Sequence, residues 1–495
     1  MEDTQTTAAT NDPSVKSPLW TTFAPAWMAN RDFAEMHEHI LRAGTYLDQF
    51  GKGGKTLEPT SQYAWRKASS FAMDFAADMV DLRVGNIFRS PPKRSYGGSP
   101  HADTIAAFIA DVDGAGTSID EFMRRAVREM YVNGADIVVD RTAPEDDVEV
   151  VNLAQEKALG LRAFASMYTP IERINWSADH AGRYLWVRYD LGVEPPEDEF
   201  DAVGPRRYLT LTPDSWRLYE VETADNGTTQ TSMTEGEIAI GRIPVVPFYF
   251  GESSNPDYRK IPVSILTRIT PIARAMLNLV SQGQLDIYMA IGILIATGVE
   301  AAQLPKEISP NCWLAFPQDA TVSNLRPEVA HVAEKREWLA VMTAAMLRMG
   351  KVQGQTGDQT ARASSGFQVQ AERTDLDNEM AATAGRCETI ETEVVRLAVA
   401  RTLGQDVSVK DLGYTVEYNR RFVLSGVDQI IAQAKEFLSL NVTTQVPELA
   451  RVFVRRILDQ LTRPSDTRYQ DVVDEITAAQ FDATAGPRSF TPLGA

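Results

Sequence analysis

The chain has 495 residues with five histidines and two cysteines, and its 67 acidic against 49 basic residues give a formal charge of -18. A chain of this length can form about two to four domains with substantial cores, so its stability does not require disulfides. The acidic balance disfavours a protein that grips nucleic acid by neutralising phosphates over a broad surface, although it is compatible with a conduit past which a polyanion slides.

The cysteines, the histidines and the apolar runs show which kinds of protein the sequence disfavours. Cys312 and Cys387 lie 75 residues apart, a spacing that favours buried thiols in a reducing compartment over a disulfide framework. No CxxC or HxxxH spacing indicates a metal site, so we expect no metal and no cofactor. The longest apolar run, Ile287–Val299, has thirteen residues and is too short to span a bilayer. Without a recognisable signal peptide, these features predict a soluble intracellular protein with no membrane partner.

The first part of the chain predicts mainly helices. Residues 1–18 are polar and predict a disordered tail, and a helix-period pattern follows from about Arg31 to Phe50. The string GKGGKT at 51–56 lacks the first glycine of a phosphate-binding P-loop, because position 49 is Gln, and it predicts an ordinary loop. Ser61–Ile87 is again helical up to the prolines at 91 and 92. Ser118 and Glu121 form a capping box at the start of a helix that reaches Asn133, followed by the strand-like GADIVVDR.

The middle of the chain changes character. Between about Leu161 and Phe250, alternating runs such as RYLWVRYDL predict a small antiparallel sheet region. A helix is predicted from Pro262 to about Ala290, with a kink or a break at Pro271 inside it. Short strand-like pieces from Ile291 to Val332 predict a compact insertion between that helix and the next.

The last third is organised around a long helix. A helical run from Glu334 to Lys351 is followed by a polar segment and by a second helix that reaches Gly404. The second helix has an apolar stripe that repeats every 3.5 residues, which predicts a seam packed within the subunit and against a neighbour. The stripe consists of Leu376, Met380, Thr383, Cys387, Ile390, Val394 and Leu397. The string LGYTVEYNRRF predicts a strand, and residues 427–479 predict helices before a flexible tail. We therefore predict an α+β protein that is predominantly α-helical.

The order of these elements and several strings resemble the portal proteins of tailed bacteriophages. The strings are YLDQFG, SQYAWRKASSF, VGNIFRSPP, PVSILTRITPIARAMLNLVSQGQLD, REWLAVMTAAMLRMG and SSGFQVQAERTDLDNEM, and the resemblance covers roughly residues 40–480. It implies a subunit with wing, stem, clip and crown regions. The implied parts are a tail (1–18), a wing (19–261), a stem helix (262–290), a clip (291–332), a second stem helix (333–351), a tunnel loop (352–365), a long wing helix with a strand (366–426), a helical crown (427–480) and a flexible tail (481–495). The clip is acidic and the crown short for this family.

The resemblance also implies two sets of site residues. The tunnel loop that faces DNA would present Gln353, Gln355, Thr356, Asp358, Gln359, Thr360, Arg362, Ser364 and Ser365. Short polar side chains give transient hydrogen bonds without fixed charge, and Gly354 and Gly357 allow the loop to move. The clip would dock partners through Glu300, Lys306, Glu307, Trp313, Phe316 and Asp319.

For function, the resemblance implies a dodecameric ring at one capsid vertex, assembled in the host cytoplasm and retained in the virion. The ring would be a channel for DNA packaging and ejection, binding duplex DNA without sequence preference. Its implied protein partners are the major capsid protein, the large subunit of terminase, and head–tail adaptor or tail proteins. The alternatives are another phage structural or scaffold-type oligomer and, from a different class, a nucleotide-dependent enzyme using the 51–56 loop. No GxSxG, HExxH or strand-linked GxGxxG motif is present, and the histidines are scattered, so we expect no catalysis.

Overall fold

A computed structural model describes most of the chain. The described residues are 12–36, 45–52, 55–73, 75–142, 161–195, 204–223, 229–289, 293–297, 321–325, 330–351, 366–420 and 422. Almost all of them belong to one compact unit, residues 1–421, and residues 422–495 form a second. Helices and antiparallel sheets together make this an α+β protein. Among the helices of the described residues, none is both long and apolar enough to cross a bilayer.

The first helix, α1 (Pro18–Glu35), begins earlier than the sequence pattern indicates. The side chain of Ser17 caps it by accepting a hydrogen bond from the Leu19 amide, and Pro18 occupies the first helical position, where its missing N–H costs nothing. The predicted helix from Arg31 to Phe50 is confirmed only for its first residues, which belong to α1. Its predicted end is wrong, because α1 ends at Glu35 and residues 45–50 are not helical, while residues 37–44 lie outside the described residues.

Within the described residues of the N-terminal part, four more helices and three short strands follow. The strands β1 (Gly51–Lys52) and β2 (Lys55–Thr56) form a hairpin. The predicted helix at 61–87 is two helices, α2 (Thr60–Ser69) and α3 (Phe75–Ile87), and β3 (Lys93–Ser95) follows. The last two helices are α4 (Ala102–Ala110) and α5 (Ile119–Val132), and Ser118 caps α5 as predicted.

Two antiparallel sheets follow, which confirms the predicted sheet region. The strands are β4 (Ala135–Arg141), β5 (Ala163–Tyr168), β6 (Arg173–Ala178), β7 (Tyr184–Val193), β8 (Arg206–Leu211), β9 (Ser215–Thr223), β10 (Thr229–Glu237) and β11 (Val245–Phe248). One sheet has the order β11-β4-β5, and the other is a meander of five strands in the order β10-β9-β8-β7-β6. The first sheet is central, since Ala135, Ile137 and Val139 of β4 are completely buried.

The next helix, α6 (Thr270–Met289), follows the short paired strands β12 (Gly251–Glu252) and β13 (Pro262–Val263). Pro271 stands in the first turn of α6 rather than inside a longer helix. The prediction of a break is confirmed, since a separate 3-10 turn at Leu266–Arg268 precedes α6. The proline is tolerated in the first turn of α6, where its missing amide has no intrahelical acceptor. Strands β14 (Ile293–Thr297) and β15 (Thr321–Leu325) pair antiparallel and lead into α7 (Ala330–Met349).

The long helix α8 (Gly366–Leu403) has 38 residues and contacts both helices and strands of the first unit. It packs against β4, β5, β11 and helices α3, α4 and α5. Six positions of the predicted stripe are buried, and Ile390 is half-buried while its neighbour Glu391 is fully enclosed. The short helix α9 (Val409–Leu412) and strand β16 (Thr415–Glu417) follow, and β16 pairs with β3.

Candidate functional site: a two-helix arm and its anchors

The arm consists of α6, α7 and the strand pair β14–β15 between them. Each helix has 20 residues, which makes it about 30 Å long. The antiparallel pairing of Ile293 with Leu325 closes the far end of the arm, and α6 packs against α7. Lys335 near the start of α7 forms an ion pair with Asp286 near the end of α6. The two helices therefore run antiparallel, and the far end of the arm is a small β-module.

Arg83 anchors the base of the arm. Its side chain is 1% exposed, and its Nη2 donates to the carbonyl oxygen of Gly350 at 2.6 Å while its Nε donates to Glu379 at 3.0 Å. Lys351 Nζ lies 2.9 Å from the other oxygen of Glu379. One buried guanidinium on α3 thus fixes the end of α7 to α8, at the residue where the 352–365 segment begins.

Arg66 anchors the middle of the arm. Its guanidinium is enclosed and donates to both oxygens of Glu58 at 2.6 and 2.7 Å and to the hydroxyl of Ser281 on α6 at 3.0 Å. The same group lies over the ring of Phe50 at 3.8 Å. Bidentate geometry and complete enclosure make this a rigid joint between α2 and α6. The hydrogen bonds from Arg66 hold the pKa of Glu58 below its usual range.

Glu391 organises a third buried cluster on α8. Arg94 Nε donates to Glu391 at 2.6 Å, and the hydroxyls of Tyr414 and Tyr418 donate to the same carboxylate. Burial and the neighbouring Glu391 raise the pKa of both tyrosines. The cluster ties α8 to the β3–β16 pair. Sequence reasoning missed Glu391, and the only available signal is its position one residue beyond the apolar stripe.

A fourth cluster joins the two sheets around Asp136. This carboxylate accepts hydrogen bonds from Tyr189 Oη at 3.0 Å, from Tyr249 Oη at 2.6 Å and from Arg173 Nη1 at 3.1 Å. Burial raises the pKa of the Tyr189 and Tyr249 hydroxyls far above the ordinary value. Perturbed groups often mark active sites, but structural networks perturb pKa values as well. Here both tyrosine hydroxyls and Arg173 Nη1 donate to the one carboxylate of Asp136, so the arrangement fits a structural joint better than a reactive centre.

A cavity of about 550 Å³ lies beside this joint, between the two sheets and the end of α8. Its lining includes apolar side chains such as Phe164, Leu209 and Ile240. The ion pair between Arg401 Nη2 and Asp140 Oδ1, at 2.7 Å, lies in its wall. The cavity presents apolar side chains and paired charges.

The sites suggested by sequence meet the described structure only in part. The tunnel-loop residues, at 353–365, and the clip residues, at 300–319, all lie outside the described residues. Cys387 is described, buried and free, whereas Cys312 is outside. Residues 51, 52, 55 and 56 form the β1–β2 hairpin instead of the strand–loop–helix of a P-loop. Within the described residues, no group of three or more His, Cys, Asp or Glu is arranged to hold a metal ion.

Comparisons with known proteins give one kind of match. No protein-family model matches the chain, and no curated protein does. Among solved structures, the chain is similar to one from the neck of an empty GTA particle computed with C6 symmetry, at 10% identity and a TM-score of 0.37. It is also similar to one from the virion of a native gene transfer agent (GTA) particle, at 10% identity and a TM-score of 0.33. Each match covers 83% of this chain and 95% of the other. The structural neighbours are thus components of gene transfer agent particles, and TM-scores this low carry no argument about function.

Proposed function

We propose that this chain is a portal protein of a tailed bacteriophage, a ring-forming DNA conduit at one capsid vertex. The arm is the observation that carries the proposal, because two antiparallel 20-residue helices closed by a β-module form the stem and clip of such a subunit. The 38-residue helix α8, reached from the arm through residues 352–365, takes the place of the long wing helix. In this proposal, α6, α7 and α8 take the parts of the first stem helix, the second stem helix and the long wing helix.

In the proposed ring, DNA moves through the axial channel during packaging and ejection. The clip docks the large subunit of terminase, which supplies the energy, and later the adaptor or tail proteins. Residues 352–365 line the channel with uncharged polar side chains, and the acidic balance of the chain limits tight binding of the polyanion. The chain itself performs no catalysis in this proposal. Its place is the virion, and twelve copies form the ring.

Imaging of the purified chain tests the ring. Negative-stain electron microscopy combined with mass photometry should show rings with a central hole and a mass of twelve subunits. A compact monomer or dimer at micromolar concentration would refute the proposal. Rings with another number of subunits would support the proposed conduit and show that the proposed number of twelve is wrong.

Removing part of the 352–365 segment tests the channel role. Deletion of residues 354–362 should leave rings intact and impair DNA packaging or retention in a packaging assay. The matched control is a deletion of residues 196–203, which lie between β7 and β8 in the five-stranded sheet. Loss of the rings in the 354–362 deletion would instead place that segment at a subunit interface.

The alternatives have their own tests. Another phage structural or scaffold-type oligomer would assemble without a DNA-sized hole or would be absent from mature particles. A nucleotide-dependent enzyme would hydrolyse ATP and lose that activity on Lys55→Ala. The β1–β2 hairpin gives the enzyme alternative no support, because a phosphate cradle needs a loop between a strand and a helix N-terminus.

A further inference from the structure

One face of α7 presents large apolar side chains that the described part of the chain leaves exposed. Trp338 is 63% exposed, Val341 59% and Met349 49%. At about 100° per residue these three positions lie within about 80° of one another around the helix axis. Lys335, which is ion-paired with Asp286, lies on the side of α7 that faces α6, and Met346 is buried. An apolar stripe of this kind on an isolated subunit marks a surface that a partner covers.

A second surface surrounds α2. Leu57 before the helix is 68% exposed and Phe71 after it is 43% exposed. Between them the outer face of α2 shows the small side chains of Ser61 and Ala64, which are both exposed. Leu57, Ser61, Ala64 and Phe71 are called the α2 patch here, and their exposed apolar and small side chains leave room for a bulky side chain from another helix.

The two surfaces lie on different flanks of the arm. Arg66 of α2 contacts α6 at Ser281, whereas Lys335 of α7 contacts it at Asp286. Five residues along a helix correspond to a rotation of about 140°, so α2 and α7 flank α6 from well-separated directions. Along the axis of α7, Trp338 lies about 4.5 Å from Lys335 towards the base of the arm. Along the axis of α6, Ser281 lies about 7.5 Å from Asp286 in the same direction, so Trp338 and Ser281 are at a similar level. Two different surfaces at one level are what a head-to-tail ring contact needs.

Charge beside Trp338 is complementary to charge on the second surface. Glu337 is exposed at the edge of the α7 stripe next to Trp338, and Arg348 is exposed on the same edge about 17 Å further along the helix. Lys55 is exposed beside Leu57, and Lys67 on α2 has its Nζ 4.8 Å from the ring of Tyr63. An acidic side chain beside Trp338 and basic residues on the other surface favour one orientation of a contact centred on Trp338.

We propose that the α7 stripe of one copy packs on the α2 patch of the next copy, with Trp338 and Val341 against Ser61 and Ala64. The inference rests on the proposed ring and identifies the surfaces that close it. A second copy is the occupant because both surfaces belong to this chain, carry opposite charge beside the proposed contact and lie at a similar level along the arm.

Cysteine crosslinking tests the contact directly. The variant carries Ala64→Cys and Val341→Cys in a Cys312→Ser background, where the remaining Cys387 is buried. Mild oxidation should give a ladder of covalent multimers on a non-reducing gel, and each single-cysteine variant should give none. A ladder absent from rings that are visible by electron microscopy would overturn the inference and leave the proposed ring intact.

A charge introduced into the stripe gives the second test. Trp338→Asp should weaken association by at least about 30-fold in mass photometry, as expected for loss of a central aromatic contact. The matched control is Met233→Asp on β10, also at a 51% exposed apolar residue, which should assemble like the wild type. Glu337→Lys should weaken association as well, and Lys55→Glu with Lys67→Glu should restore it. Normal rings in the Trp338→Asp variant would refute the contact, whereas a monomeric wild type would refute the ring itself.

Discussion

Replacement of Arg66 by methionine tests how much the buried ion pair between Arg66 and Glu58 contributes to the free energy of unfolding. The side chains of Arg66 and Glu58 are 0% and 1% exposed, and they are held together by bonds of 2.6 and 2.7 Å. Removing one partner of a buried ion pair leaves a charge without compensation and costs about 3–5 kcal/mol. Arg66→Met also removes the donor to Ser281, so α6 should loosen together with α2.

The pH dependence of this loss has a defined sign. The pKa of Glu58 is lowered in the folded chain by the hydrogen bonds from Arg66, so the stabilisation is present above the unfolded pKa of about 4.3. It is lost as the pH falls through the folded pKa. The difference in unfolding free energy between wild type and Arg66→Met should therefore be largest near neutral pH and shrink below about pH 4.

Urea unfolding followed by hydrogen exchange of α2 and α6 measures the effect. The double variant Arg66→Met with Glu58→Gln is the control, because it removes both charges and should recover part of the loss. A cost below about 1 kcal/mol for Arg66→Met, which is the scale of an exposed pair, would refute the reasoning. So would a double variant no more stable than the single one.

Three further predictions concern a turn, a thiol and a buried acid. Gly134→Ala should destabilise the chain more than Gly182→Ala, since both glycines have positive φ but a Cβ at 134 would lie 2.7 Å from the Tyr249 ring; equal shifts in melting temperature would contradict this. Burial raises the pKa of the Cys387 thiol. In a Cys312→Ser variant, Cys387 should therefore react with a thiol reagent only after unfolding, and labelling of the native chain would contradict its burial. Glu129 has a pKa raised to about 7, chiefly by burial, so its charged form opposes folding as the pH rises from about 4.3 to 7. Glu129→Gln should therefore gain stability relative to wild type across that interval, and a flat difference in unfolding free energy would refute the shift.

Local signals in the sequence determined much of the secondary structure. Ser118 and its capping geometry placed α5, alternating residues placed the sheet region, and a 3.5-residue stripe placed α8. Such patterns are readable because capping and periodicity depend on residues only a few positions apart. The same reasoning failed at α1. The helix begins at Pro18 after the capping residue Ser17, whereas the apolar pattern indicated a start near Arg31.

Long-range partners were decided only by the tertiary structure. Arg66 and Arg83 look like ordinary helix charges in the sequence, yet each is buried against groups more than 200 positions away. Residues 93–95 follow two prolines and read as a helix stop, but they pair with residues 415–417. No local pattern encodes which distant carboxylate or strand edge will meet a residue, because that is set by how the helices pack. Within the described residues, the sequence by itself therefore determined the cap of α5, the sheet region and the course of α8. The tertiary structure decided the joints of the arm and the two surfaces that we infer to close the ring.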